Sequence, residues 1–274
     1  MAKSKVGTYL DGKELAEKLK LDLRKKIVAS NKEFGLAAIL IGDDPASHLY
    51  VKLKEKACQD LGINFHRYLF DPKLTSEKEV LEAIAFLNKD EDTTGILVQL
   101  PLPEGFDANK IVGTITKEKD VDGFITDNSK IQSPVSVAVT ELLNAAGDFA
   151  KNKSKLNALI IAKDGVLAND LKKQLQQLNL KTVTHETNIP KNSTDYDVIV
   201  IALGKPQALN KTMIKKDAII IDIGINKLKD KTVGDVAEDA IKQASFISPV
   251  PGGVGPLTVA GLMKNLCILA EVEK

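Results

Sequence analysis

The stretch LNALIIAKDGVLANDLKKQLQQL, residues 156–178, shows the pattern that decides the fold. Its first part, Leu156 to Ile161, is a short and mainly apolar run, and the segment from Asp164 to Leu178 has the period of an amphipathic helix. A short apolar run of this kind is typical of a strand that helices cover on both faces of a parallel sheet. The stretch therefore predicts one strand–helix unit of an α/β fold.

The same alternation recurs along the chain on both sides of this stretch. Further apolar runs are Leu36 to Ile41, Gly95 to Leu100, Val198 to Leu203 and Ala218 to Ile223. Further segments of helical period are Ser47 to Leu61, Ser76 to Asn88 and Thr258 to Glu271. Strands that alternate with helices predict a doubly wound α/β protein.

A polar stretch, Thr126 to Val135, predicts the boundary between two α/β domains. The series of strands and helices after it has the length of a Rossmann-type dinucleotide-binding domain. The final helix is expected to return to the first domain and pack there. We therefore predict a first domain of residues 1–125, completed by residues 250–274, and a second domain of residues 126–249.

Composition argues against several classes of function. The 274 residues contain 38 Lys and Arg against 37 Asp and Glu, and only 4% are aromatic, so nothing indicates a nucleic-acid or membrane partner. The two cysteines, Cys58 and Cys267, match no metal-ligand spacing, and we expect core thiols and no metal site. No apolar run has the length of a signal peptide or a membrane span, which predicts a cytoplasmic protein.

One lysine falls on the apolar face of a predicted helix. At about 100° per residue, five residues share one arc of the segment Ser47 to Leu61: Tyr50, Lys54, Ala57, Cys58 and Leu61. Periodicity leaves two interpretations open. Lys54 could lie at the rim of the face and extend its ammonium into solvent, or it could point into a cleft, where desolvation lowers the pKa of a lysine into the range useful for proton transfer.

A glutamine interrupts a predicted strand in GILVQLPLP, residues 95–103. Gln99 stands just before the prolines that end the strand, and the carboxyl end of such a strand faces the crevice where α/β proteins bind ligands. A buried glutamine needs hydrogen-bond partners. Lys54 is one candidate, and the backbone of the following loop is the other.

Two loops complete the set of candidate segments. In KDVDGF, residues 119–124, the acids could form an Asx-turn, or Asp122 could accept hydrogen bonds from an amino-substituted heterocycle. In SPVPGGVGPLT, residues 248–258, prolines and glycines predict a rigid loop whose backbone can approach a ligand closely.

These segments resemble the bifunctional methylenetetrahydrofolate dehydrogenase/cyclohydrolase family. The matching stretches occur in the order of the family: DDPASHLYVKLKEKA (43–57), GILVQLPLP (95–103), KDVDGF (119–124), DIGIN (222–226), GDV (234–236) and SPVPGGVGPLTVAGLMKN (248–265). The resemblance implies two folate-dependent steps. A hydride moves from 5,10-methylene-tetrahydrofolate to NADP, and water then opens the methenyl product to 10-formyl-tetrahydrofolate.

The resemblance also implies two lobes around a cleft, a homodimer and a role for each site residue. Lys54 would be the central acid/base group, Gln99 would position it, Tyr50 would pack on the folate, and Asp122 would anchor the pterin ring. The other implied substrate contacts are Val98, Leu100, Pro251, Gly252 and Gly253. Together these residues define the predicted folate half of the chain.

The cofactor half departs from the family pattern. A glycine-rich turn of the form G-R-S-x-x-V-G-x-P corresponds here to AKDGVLAND, residues 162–170, so alanines replace both glycines and Asp164 replaces the serine. We expect the methyl groups of Ala162 and Ala168 to hinder the approach of a phosphate, and the charge of Asp164 to repel it. The implied cofactor contacts are Ala162, Lys163, Asp164, Ala202, Gly204 and Ile225.

Three outcomes therefore stay open for the cofactor. The expected cofactor is NADP, with NAD as an alternative, since the segment that usually distinguishes them is altered. The chain could also have lost nucleotide binding and kept only the cyclohydrolase, because hydrolysis needs no nicotinamide. A catalytically silent folate-binding protein is the remaining alternative.

Overall fold

The computed structural model describes residues 7–124 and 130–273. The chain divides into two compact units: a six-strand unit of Met1–Ala16 and Val135–Thr258, and a three-strand unit of Glu17–Pro134 and Val259–Lys274. The predicted domains instead group residues 1–16 and 250–258 with the first half, and that division stays a prediction. The part of the predicted boundary from Thr126 to Ser129 lies outside the described residues.

The elements alternate as expected for an α/β protein. The strands are β1 (Thr8–Tyr9), β2 (Gly35–Ile41), β3 (Asn64–Phe70), β4 (Thr93–Val98), β5 (Asn157–Ala162), β6 (Thr182–Glu186), β7 (Val198–Ala202), β8 (Ile219–Asp222), β9 (Asn226–Leu228), β10 (Lys231–Val233) and β11 (Phe246–Ile247). The helices are α1 (Gly12–Ser30), α2 (Pro45–Leu61), α3 (Glu77–Leu87), α4 (Ala108–Val112), α5 (Pro134–Ala145), α6 (Phe149–Asn152), α7 (Gly165–Gln177) and α8 (Val254–Leu269). Short 3-10 helices are Lys153–Lys155, Ser193–Asp195, Lys211–Met213 and Glu238–Lys242.

A parallel sheet forms the centre of the six-strand unit. Its order is β1-β11-β8-β7-β5-β6, and every neighbouring pair is parallel. The chain passes from β5 outward to β6 and then returns to the other side of β5 as β7. The strand order therefore reverses between β5 and β7, and in such sheets ligands bind at the carboxyl ends of the strands that flank the reversal.

The three-strand unit has a parallel sheet of order β3-β2-β4. The central strand β2 is buried at all seven positions, and its side chains alternate between two apolar clusters. One cluster contains Leu36 and Leu40 together with Leu262 and Leu266 of α8, so the last helix does pack on the core of the first half. The other cluster contains Ile39 together with residues of α3.

The predicted fold class is confirmed, and the five apolar runs correspond to β2, β4, β5, β7 and β8. The strands that the sequence did not reveal include β3 and β6, which are sheet edges with partly exposed side chains. An edge strand that is open to solvent lacks the continuous apolar run by which a central strand is recognised. Of the helices in the described part of the chain, none is both long and apolar enough to cross a membrane.

Candidate active site

The helix that carries Lys54 has defined caps at both ends. Asp44 accepts hydrogen bonds from the backbone N–H of Ser47 at 2.7 Å and from its hydroxyl at 2.8 Å, and Pro45 occupies the first turn. The helix stops at Gly62, which has a φ of 75°. These local signals set the register of α2 and therefore the direction in which Tyr50 and Lys54 point.

Lys54 bonds to Gln99 rather than extending into solvent. Its Nζ donates to Gln99 Oε1 at 2.9 Å, whereas Lys52 and Lys56 of the same helix are exposed. Gln99 is buried, and its Nε2 donates to the carbonyl of Leu100 at 2.7 Å. Both partners considered for this amide, the lysine and the loop backbone, are therefore present. The two contacts hold the amide in one orientation with its oxygen toward Lys54.

Burial changes the protonation of Lys54 and of Asp122. Loss of water lowers the pKa of Lys54, and the charge of Asp122 opposes that change by raising it. Burial raises the pKa of Asp122 to about 6; Lys54 lowers it and Asp120 raises it further. The site therefore combines a lysine that gives up its proton more easily with a carboxyl group that titrates just below neutral pH.

The turn that presents Asp122 is held by its neighbour Asp120. A carboxylate oxygen of Asp120 accepts from the backbone N–H of Asp122 at 3.2 Å and of Gly123 at 3.0 Å, and Gly123 has a φ of 71°. The Asx-turn considered from the sequence is thus made by Asp120. Asp122 is the acid whose charge acts on Lys54.

Two residues outside the predicted site set support this turn. Asn265 of α8 is 1% exposed, and its Nδ2 donates to the carbonyls of Val121 at 2.8 Å and of Gln132 at 2.7 Å. A side chain on Gly95 of β4 would overlap Val121 and Leu266, so only glycine allows this approach. A buried asparagine in an apolar helix and a glycine inside a strand were the signals that could have identified them.

The remaining predicted substrate contacts differ in their surroundings. Tyr50 is 38% exposed and so presents a ring to solvent one turn before Lys54. Val98 lies in the core with 2% of its surface exposed, and Leu100 packs on the same cluster. A contribution of Val98 to binding would therefore come from its backbone.

The predicted residues of the proline–glycine loop belong to the six-strand unit. Gly252 has a φ of 106°, and Gly253 is buried. A side chain on Gly12 would overlap the carbonyl of Gly253, so the loop lies directly against the start of α1. Pro251 is exposed beside them.

The predicted cofactor residues meet at the carboxyl edge of the six-strand sheet. Ala162 and Ala202 are register partners at the ends of β5 and β7, where the strand order reverses. Gly204 follows β7 with a φ of 63°, and Ile225 follows β8 and is 58% exposed. This edge is where a doubly wound sheet binds a nucleotide.

In the turn after β5, the carboxylate of Asp164 is the change that affects phosphate binding, and the alanine methyl groups are not. Asp164 caps α7 by accepting from the N–H groups of Val166 at 2.8 Å and of Leu167 at 3.3 Å. Helix N–H groups of this kind are the usual donors to a phosphate, and here an internal anion occupies them. The expectation that alanine methyls hinder the phosphate is not supported, because Ala162 and Ala168 are both 0% exposed.

Comparisons with known proteins identify the family. Residues 10–122 match the family model of the tetrahydrofolate dehydrogenase/cyclohydrolase catalytic domain, and residues 133–274 match that of its NAD(P)-binding domain. The chain belongs to the tetrahydrofolate dehydrogenase/cyclohydrolase family. The resemblance stated from the motifs is thereby confirmed.

Relatives and solved structures match this family member over almost its whole length. The bifunctional protein FolD of a Nitratiruptor species is 39% identical over an alignment of 281 positions, which covers 97% of this chain and 98% of that protein. The crystal structure of the bifunctional enzyme FolD from Campylobacter jejuni has a TM-score of 0.88 at 35% identity, with 96% and 98% covered. The FolD of Trypanosoma brucei, complexed with NADP cofactor and an inhibitor, has a TM-score of 0.85 at 26% identity, with 97% of each chain covered.

Family membership confirms the predicted enzyme class. The protein is an enzyme of one-carbon folate metabolism with dehydrogenase/cyclohydrolase activity, and its second half is an NAD(P)-binding domain. The Lys54–Gln99–Asp122 group lies within the matched catalytic domain, and the carboxyl edge of the six-strand sheet lies within the matched nucleotide domain.

Proposed function

We propose that the chain oxidises 5,10-methylene-tetrahydrofolate with a nicotinamide dinucleotide and hydrolyses the methenyl product to 10-formyl-tetrahydrofolate, with Lys54 as the central acid/base group. The observation that carries the proposal is the hydrogen bond from Lys54 Nζ to Gln99 Oε1, at 2.9 Å, together with the lowered pKa of that lysine. A lysine that is held in one direction and whose pKa is lowered gives up its proton more readily than an exposed lysine, which suits it to proton transfer.

In the hydrolytic step the chain supplies a base. Water adds its oxygen to the methenyl carbon of the cationic substrate, and the neutral amine of Lys54 takes the proton that the water loses. Lys54 then returns this proton to N5 as the bond from the carbon to N5 breaks. The new hydroxyl group releases its own proton to solvent as the carbonyl forms, and the formyl group remains on N10. A cationic substrate beside Lys54 favours the neutral amine further, because like charges repel.

Asp122 and Tyr50 are proposed to hold the folate. A carboxylate can accept two hydrogen bonds from an amino-substituted pterin ring, and the turn held by Asp120 keeps Asp122 in a defined place. The exposed ring of Tyr50 offers a flat surface for the folate.

The nicotinamide dinucleotide supplies the hydride acceptor when it is bound. The cofactor expected from the resemblance is NADP, but we propose that this chain prefers the alternative, NAD. Glu186 is the exposed last residue of β6, the strand that pairs with β5, and it follows Asp164 by about 20 residues. An acid at this position of a Rossmann-type domain accepts from the ribose 2′-hydroxyl of NAD. The same acid would repel the 2′-phosphate of NADP, although the exposed Lys163 offers one opposing positive charge.

Calorimetric titration with NAD and with NADP, beside a cyclohydrolase assay, tests the proposed function. Micromolar binding of NAD with turnover of both steps would support it. Hydrolysis without binding of either nucleotide at millimolar concentration would mean that the protein is a cyclohydrolase only. This is the second candidate function, because the carboxylate of Asp164 occupies helix N–H groups that could bind a phosphate. Absence of hydrolysis in folded protein would reject the proposal.

Replacing Glu186 by serine is expected to reverse the cofactor preference. Glu186→Ser removes the acceptor for the 2′-hydroxyl and the charge that repels the 2′-phosphate. The KM for NADP should therefore fall about tenfold or more, and the KM for NAD should rise. A tenfold change corresponds to about 1.4 kcal/mol in binding free energy. Steady-state dehydrogenase assays with each cofactor measure both values. Asp195→Ser is the matched control, because it removes an exposed acid just before β7, at the amino edge of the same sheet.

Replacing Asp164 by serine is expected to strengthen the binding of either nucleotide by about tenfold. Serine remains a good helix cap, so the variant removes the anion and keeps the start of α7. The dissociation constant from calorimetry is the readout. Ala162→Gly combined with Ala168→Gly should give no gain, since both methyls are buried; a gain from that pair, and none from Asp164→Ser, would show that the methyl groups were the obstacle after all.

We further propose that the protein acts as a homodimer in the cytoplasm. Within the described ranges 7–124 and 130–273, the seven-residue edge strand β3 pairs with a strand on one side only, and Leu69 on it is 56% exposed. This edge therefore suits pairing with a second copy. Both cysteines are buried free thiols, which agrees with a reducing compartment. Light scattering that gives the mass of a single chain would reject the dimer.

A further inference from the structure

A buried carboxylate collects the backbone N–H groups that follow β7. Asp235 is 0% exposed, and its oxygens accept from Leu203 at 2.5 Å, Gly204 at 3.1 Å and Lys205 at 2.7 Å. The side chain of Asn226 donates to it as well, at 2.9 Å. These four hydrogen-bond donors stabilise the negative charge of the buried Asp235 carboxylate without a cation.

A second buried carboxylate holds the segment that carries Asp235. Asp222, at the end of β8, accepts from the N–H groups of Gly224 at 2.9 Å, Asp235 at 3.1 Å and Val236 at 2.9 Å. A side chain on Gly234 would overlap the Asp222 carboxylate. Glycine is therefore needed here, because the backbone passes directly over the acid.

Backbone bonds join the same two loops. Gln207 donates to the carbonyl of Gly234 at 3.0 Å, and Leu209 donates to that of Asp235 at 2.9 Å. The backbone N–H of Ala237 donates to the carbonyl of Leu209 at 2.8 Å. The loop after β7 is thus attached to the segment after β10 along its length, with Asp235 at the end nearest the strand.

We propose that Asp235 is a positioning residue for the nucleotide, which shapes the turn 203–205 at the carboxyl edge of the six-strand sheet. The inference rests on the proposed binding of a dinucleotide at that edge. Because the N–H groups of the turn point inward to Asp235, the turn offers its exposed glycine, Gly204, to the ligand rather than its amides. The turn then contacts the nucleotide through its surface and does not bind phosphate through its N–H groups.

Asp235→Asn tests the inference because it keeps the size of the side chain and replaces one acceptor oxygen with a donor. The KM for the nucleotide should rise at least about tenfold, while kcat/KM of the cyclohydrolase, which uses no nucleotide, stays within about twofold. Hydrogen exchange at the amides of residues 203–205 should lose its protection in the variant. A protein in which Asp235 only stabilised the fold would instead lose both activities together.

Each remaining outcome decides the matter. Unchanged nucleotide KM, or unchanged exchange at residues 203–205, overturns the inference while the proposed function stands. If the wild-type protein binds no nucleotide, the proposed dehydrogenase function and this inference about the nucleotide both fail, whatever the exchange shows. If Asp235→Asn does not fold, Asn226→Ala replaces it as the test, because it removes one of the four donors to Asp235. This variant should raise the nucleotide KM about threefold and leave hydrolysis intact. An unchanged nucleotide KM in Asn226→Ala would overturn the inference.

Discussion

Lys54→Ala is expected to lower the cyclohydrolase rate by about 10²- to 10⁴-fold, the range that a positioned acid/base group contributes. The variant removes the amine that Gln99 orients at 2.9 Å and leaves no other group in its place. The fold should persist, since deleting a desolvated amine does not break a backbone contact. The rate of methenyl-tetrahydrofolate hydrolysis and the thermal midpoint of the same sample measure both effects.

Lys52→Ala is the matched control for this variant. Lys52 is an exposed lysine on the same helix, two residues away, and its removal should leave the rate unchanged. Hydrolysis at the wild-type rate in Lys54→Ala would remove this lysine from the mechanism. A loss of rate in both variants would indicate damage to α2 instead.

Asp122→Asn is expected to weaken folate binding and to move the pH profile of hydrolysis. The amide keeps the size of the side chain but accepts fewer hydrogen bonds from a pterin ring, so the folate dissociation constant should rise by about tenfold or more. The negative charge of Asp122 raises the pKa of Lys54. Without that charge the lysine loses its proton at lower pH, and the rising limb of the rate should shift to lower pH.

The loss of a titrating group gives a second readout in this variant. The pKa of Asp122 is raised to about 6, so any step near that pH in the wild-type profile should vanish. Glu91→Gln serves as control, because Glu91 is exposed just before β4, at the end of the strand opposite Gln99. A limb that stays in place in Asp122→Asn would contradict the coupling of the two groups.

The candidate site in the three-strand unit was largely predictable because its signals are local. Lys54 is anomalous on an apolar helical face, and Gln99 is anomalous in an apolar strand, so each can be identified from its own neighbours in sequence. Their contact at 2.9 Å joins residues 45 positions apart, and it forms because α2 packs on the sheet in which β4, the strand before Gln99, pairs with β2. Asn265, which supports the turn that presents Asp122, stands out as an asparagine in an apolar helix, but only the structure shows that it contacts the distant Val121.

The nucleotide edge was less predictable because its chemistry depends on the directions of side chains and of backbone N–H groups. The sequence identified the altered turn, but it assigned the obstacle to Ala162 and Ala168, whose methyls the fold buries. The cap formed by Asp164 and the four donors collected by Asp235 follow from where backbone N–H groups point. A linear motif does not contain that information.

The sequence by itself determined the α/β class, the central strands, the family and the unusual position of Lys54 on an apolar helical face, because periodicity, strand-end residues and ordered motifs are properties of neighbouring residues. The tertiary structure alone decided which acid near Gly123 holds the turn and which acts on Lys54. It also decided that Asp164 and Asp235 each occupy backbone amides near the carboxyl edge of the six-strand sheet. The physical reason is that hydrogen bonding and desolvation act over a few ångströms in space, between groups that the chain separates by tens of residues.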